Sequence, residues 1–178
     1  MATEPRSIRI EDDPTYWQAL GKFIEKFASA ETALFVLLLS YTKTDNIIGK
    51  IVFSGLRAKQ AMTHVQRILT VAAVNKERAA ELKYVFEQFS AISTARNSIV
   101  HYVSFVTSDL GRVASNITRA PTPDLVKEMR ISPEILETMS TDLEKIAHHL
   151  ALHAVLPNAS LDERAAAVPA LSVRSESS

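Results

Sequence analysis

The residues of this chain best suited to chemistry fall in one stretch, Ser90-Ala91-Ile92-Ser93-Thr94-Ala95-Arg96-Asn97-Ser98-Ile99-Val100-His101-Tyr102. Six of these residues, from Arg96 to His101, hold a permanent cation, an amide and a titratable imidazole. Arginine stays charged, and its planar fork fits phosphate oxygens. Histidine is the side chain whose ordinary pKa suits proton transfer near neutrality. Together they are a minimal kit for phosphodiester chemistry. On a helix, Asn97 and His101 stand one above the other at i, i+4. Arg96 lies about 100° round from Asn97, but its long side chain can swing the guanidinium toward the same space. The same residues also have a purely structural reading. Arg96 would then be a surface or interface ion-pair residue, Asn97 a surface amide and His101 a satisfied, half-buried imidazole.

The spacing of apolar residues predicts the elements that must position these groups. Asp13-Pro14 starts a first helix, with Asp as cap and Pro at the first helical position, running to about Lys43. Leu20, Ile24, Phe27, Glu31, Leu34, Leu38 and Tyr41 repeat there at alternating spacings of four and three, the seam of a bundle helix. Glu31 is the anomaly in that seam. Its carboxylate must tilt out to solvent, pair with a nearby Arg or Lys, or face Arg96 or His101 and orient them. A second helix is expected from Asn46 or Ile47 to Val74, with Ile48, Ile51, Val52, Leu56, Met62, Val65, Leu69 and Ala72 as its apolar face. Gly49 and Gly55 weaken it locally or allow close packing. Arg57, Lys59, His64 and Arg67 form either a solvated face or an RNA path.

Asn75 caps or breaks the chain before a third helix, expected from Lys76 to Val106, which carries the motif. Its core face is Leu82, Val85, Phe86, Phe89, Ile92, Ile99, Val103 and Val106. The helical pattern fails between Thr107 and Pro123. Residues 111–118 suit a short hairpin strand, with 103–107 as its partner if the third helix stops early. A short helix is expected over 123–129. Ser132-Pro133 starts a fourth long helix that ends near Val155. Residues 1–13 read as a flexible polar arm and 157–178 as a mobile tail with a short helix over 160–167. The expected fold is therefore all-α: a four-helix up-and-down bundle over 14–156, with a short hairpin or loop between the third and fourth main helices.

Composition narrows the function. The chain has 178 residues, 47% of them apolar, and only 4 glycines, which suits one helical domain with a real core. The lack of cysteine excludes disulfides and thiolate metal sites. With 20 basic and 20 acidic residues, the formal net charge is zero, unlike a broad nucleic-acid binder. The longest apolar run, Ala33 to Leu39, is too short to cross a bilayer, and the first residues lack an apolar leader. A cytoplasmic protein with no membrane partner is expected. His149 and His153 sit at i, i+4 with His148 beside them, but no third ligand accompanies them in sequence, so they read as surface or capping residues and no metal or cofactor is expected. Neither a Gly-rich phosphate loop nor a nucleophile elbow occurs.

The run Arg96-Asn97-Ser98-Ile99-Val100-His101 resembles the signature of the HEPN superfamily: Arg, a polar residue, three residues, His. The layout of helices is similar over roughly Tyr16 to Leu156. That resemblance implies a small helical bundle and, in many members, a metal-independent endoribonuclease. It implies catalytic roles for Arg96, Asn97 and His101; Glu31, from its place in the first helix's seam, and Tyr102, next to His101, are supporting candidates. It also implies a homodimer with motif helices facing each other, an RNA substrate and, in toxin members, an antitoxin protein. Many toxins carry a Tyr two residues after the His. Here that position is Val103, and Tyr102 stands next to His101 instead. The alternative is a catalytically silent helical dimer that binds a nucleotide, RNA or a protein.

Overall fold

The computed structural model describes residues 13–72 and 74–155. The expected arm, tail and helix over 160–167 lie outside the described residues, except Asp13. Three long helices dominate: α1 (Pro14–Thr42), α4 (Lys76–His101) and α5 (Pro133–Val155). Two short helices, α2 (Asn46–Val52) and α3 (Ala58–Val71), lie between the first two. Strands β1 (Val103–Thr107), β2 (Gly111–Ser115) and β3 (Glu128–Arg130), with a 3₁₀ turn at Pro123–Leu125, lie between α4 and α5. The chain is thus mostly helical with a small sheet.

Local chemistry sets the boundaries. The Tyr16 N–H donates to Asp13 Oδ1 at 3.1 Å, and Pro14 opens α1, as the sequence implies. Asn75 Oδ1 accepts from the Glu77 N–H at 2.8 Å and caps α4. Ser132 Oγ accepts from the Ile135 N–H at 3.3 Å and caps α5. Its hydrogen bond to Glu134, followed by that residue's own backbone, holds the exposed Glu134 carboxyl below its usual range.

Two expected helices are shorter than the apolar pattern suggests. The second is broken between Val52 and Ala58, where Gly55 adopts φ +80°, a conformation that side-chain-bearing residues rarely take. The third stops at His101 rather than Val106, because Val103, Val106 and Thr107 are β-branched and Phe105 and Thr107 turn inward at every second position of a strand. The hairpin therefore forms with 103–107 as partner: β1 and β2 pair antiparallel from Val103↔Ser115 to Thr107↔Gly111. Gly111 at φ +69° closes its turn. The expected helix over 123–129 is instead the 3₁₀ turn followed by β3, which pairs antiparallel with β2. Asn116 fixes that connection, accepting from the Lys127 N–H at 2.6 Å and donating to the Leu125 carbonyl at 3.2 Å.

The described chain forms two compact units, one from residues 13–24 and 91–139, the other from 25–90 and 140–155. In the first, the Arg112 guanidinium lies 4.2 Å above the Tyr16 ring, and Phe105, Val113, Ala114, Ile131 and Leu136 are buried. In the second, the tilted rings of Phe27 and Phe89 meet with centres 5.4 Å apart, and Leu34, Leu38, Leu82, Val85, Ile146 and Leu150 are buried. Lys26 bonds Glu144, and Ser40 donates to the Ala154 carbonyl, so α1 and α5 run in the same direction there. Tyr41 meets Arg78 while Phe27 meets Phe89, so α4 runs opposite to α1.

The buried stripe of α1 is Tyr16, Ala19, Phe23, Phe27, Ala30, Leu34, Leu37 and Leu38, not the seam through Ile24 and Glu31. Ala30 and Glu31 are about 100° apart on the helix. Turning Ala30 inward leaves the Glu31 carboxylate exposed, avoiding the desolvation cost.

Candidate functional site

The motif belongs to the first unit, at the C-terminal end of α4. His101 is the last residue of the helix, and its imidazole is exposed. The Tyr102 N–H donates to the Ser98 carbonyl at 2.9 Å, the final helical bond before β1. Asn97, one turn back on the same face, is also exposed. Arg96 is half-buried, and its Nη1 donates to Asn97 Oδ1 at 3.3 Å. The guanidinium has thus swung to the amide's side, as its length allows. His101 is thus exposed where the structural reading expects a half-buried imidazole, and Asn97 is the surface amide that the same reading expects. A half-buried cation beside an exposed amide and an exposed imidazole can receive an anion from solvent.

Tyr102 is half-buried, just beyond the helix. Glu31 belongs to the second unit and is exposed.

A second polar group of residues escapes a reading based on the motif. In the second unit, Arg78 is buried, and its Nη2 donates to the His153 carbonyl at 2.8 Å. It thereby satisfies a carbonyl in the last turn of α5. Its guanidinium also lies 5.2 Å from the centre of the Tyr41 ring. Glu81 Oε1 lies 3.3 Å from His153 Nε2 and 3.7 Å from His149 Nδ1. His153 is fully buried and His149 half-buried, so the surface reading of this pair is corrected, although His153 does stand in the last turn of α5. Burial holds the His149 imidazole below its usual pKa, partly opposed by Glu81. The visible signal in sequence is Arg78 and Glu81 at i, i+3 on a core-bearing helix, where buried charges need partners. Its counterpart on α5 is the pair His149 and His153 at i, i+4. Among the described residues, no group of three or more His, Asp or Glu side chains is placed to hold a metal ion.

Comparison with protein-family models, curated proteins and solved structures finds no match to this chain. Among the described residues, no helix is long and apolar enough to cross a membrane.

Proposed function

We propose that this chain is a metal-independent endoribonuclease of HEPN type, acting as a homodimer on RNA. The observation that carries this reading is the exposed end of α4, where Arg96 is hydrogen-bonded to Asn97 and His101 stands open one turn on. RNA brings its own nucleophile, the 2′-hydroxyl. That oxygen attacks the adjacent phosphorus, and the bond from phosphorus to the 5′-oxygen breaks. The products are a 2′,3′-cyclic phosphate and a 5′-hydroxyl. His101 takes the 2′-hydroxyl proton, and a second copy's imidazole returns one to the leaving oxygen. Arg96 holds the non-bridging oxygens and stabilises the charge that grows on them. Asn97 positions Arg96 through the bond already present and faces the same phosphate.

The reading includes a cytoplasmic location, one domain over 14–156 and, if the chain is the toxin half of a pair, an antitoxin protein. It also includes a bundle in which α2 and α3 together take the second place. A strict up-and-down order would set first and last helices antiparallel, whereas α1 and α5 run in the same direction in the second unit.

The test is cleavage of a mixed RNA pool in EDTA by wild type, Arg96→Ala and His101→Ala, with analysis of product ends. Cleavage by wild type alone, leaving cyclic phosphates, supports the reading. Silence from all three folded proteins moves the motif to the binding reading.

A further inference from the structure

The second unit exposes a surface with no role in the chemistry above. In α2, Ile47 and Ile51 are 72% exposed, Ile48 54% and Val52 62%. These four fill one arc of the helix, at i, i+1, i+4 and i+5. The opposite side carries Gly49, which is buried, and a Cβ there would collide with Leu39. The helix is therefore inverted: its smallest residue packs inward and its largest apolar residues face out. A merely solvated helix would show the reverse pattern. The four side chains present on the order of 400 Å² of apolar surface, the size at which an exposed patch on a monomer is often functional.

Asp45 caps the helix, accepting from the Ile47 and Ile48 N–H groups, and beyond that carboxylate the charge along the chain is one-sided. From Asn46 to Lys76 the chain has no carboxylate, although it holds 20 acidic residues in all. The same stretch carries Lys50, Arg57, Lys59 and Arg67, all exposed. Two copies pressed together here would oppose like charges. RNA gains little from aliphatic side chains and wants exposed aromatics to stack on. A lipid surface favours Trp and Tyr anchors, and the stretch has neither. We infer that α2 and the exposed side of α3 dock an acidic, amphipathic helical segment of a partner protein. Its apolar stripe covers Ile47, Ile48, Ile51 and Val52, and its carboxylates meet the cations.

The inference does not depend on the nuclease reading. The probe is a fluorescent synthetic helix with Leu at every third and fourth position and Glu elsewhere, compared with its Lys counterpart, by anisotropy against the full chain. Expected is binding of the Glu peptide only, weakening with salt. Ile51→Ser should weaken it roughly tenfold, and Lys59→Glu with Arg67→Glu should abolish its salt dependence. Unchanged melting of each variant shows the fold intact. No preference for the Glu peptide, or no effect of Ile51→Ser, overturns the inference. So does stronger binding to phosphatidylserine vesicles, or self-association that Ile51→Ser removes, which would make the occupant a lipid surface or a second copy.

Discussion

The two polar regions of this protein both combine arginine with histidine and differ in almost everything else. At the end of α4, Arg96, Asn97 and His101 face or border solvent. In the second unit, Arg78, Glu81, His149 and His153 are drawn into the interior, with Arg78 tied to a helix carbonyl. A buried cation with a fixed partner is costly to disturb and has little freedom to meet a ligand. An exposed imidazole has that freedom and does little for stability. The expected division is therefore that the first region carries chemistry and the second holds helices together.

The widest separation should appear in activity. His101→Ala is expected to slow RNA cleavage by about 10²–10⁴-fold, the usual worth of a general acid or base. Arg96→Ala should lose about 10²–10³-fold, since it removes charge stabilisation at the phosphate. His101→Ala should melt close to wild type, which circular dichroism would show. Cleavage that survives either substitution would end the comparison by removing its functional half.

Stability should show the opposite pattern. Arg78→Ala leaves the His153 carbonyl without its donor and disturbs a buried charge group, so a loss of about 3–5 kcal/mol is expected in denaturant unfolding. Phe23→Ala, in the first unit's part of α1, should cost a similar 3–5 kcal/mol through a core cavity, with no change in any histidine titration. If Arg78→Ala unfolds normally but alters RNA cleavage, the second region is more than structural.

The smallest effect is a pH dependence. The folded-state pKa of His149 lies below its unfolded value because burial disfavours its charge. Below the unfolded value, the unfolded chain binds more protons, so stability drops as pH drops. The stabilisation is fully present above the ordinary histidine range and is lost as pH drops through the folded value. His149→Gln should flatten that slope in melts between pH 7 and pH 5, and an unchanged slope would assign it to another group.

The long helices are legible in the sequence because their periodicity and caps agree: Asp13-Pro14, Asn75 and Ser132-Pro133 mark real helix starts. The α1 seam is easily misplaced because Ala30 and Glu31 both fit a three-and-four spacing, and small Ala30 carries a weak apolar signal. The motif's end is legible in part. Its apolar pattern continues through Val103 and Val106, and only β-branching marks the switch to strand. β3 is not legible, since three residues give no period and its pairing with β2 is non-local. The Arg78–Glu81–His149–His153 group escapes because its halves lie about 70 residues apart, and sequence spacing does not reveal which helices meet.

The most direct test measures cleavage in EDTA and melting temperature side by side for wild type, His101→Ala and Arg78→Ala. The expected result is a crossed pattern: His101→Ala loses cleavage and keeps its melting temperature, while Arg78→Ala melts early but cleaves at wild-type rate where still folded. An unstable His101→Ala that still cleaves, or a stable Arg78→Ala that does not, would contradict the division of labour between the two regions.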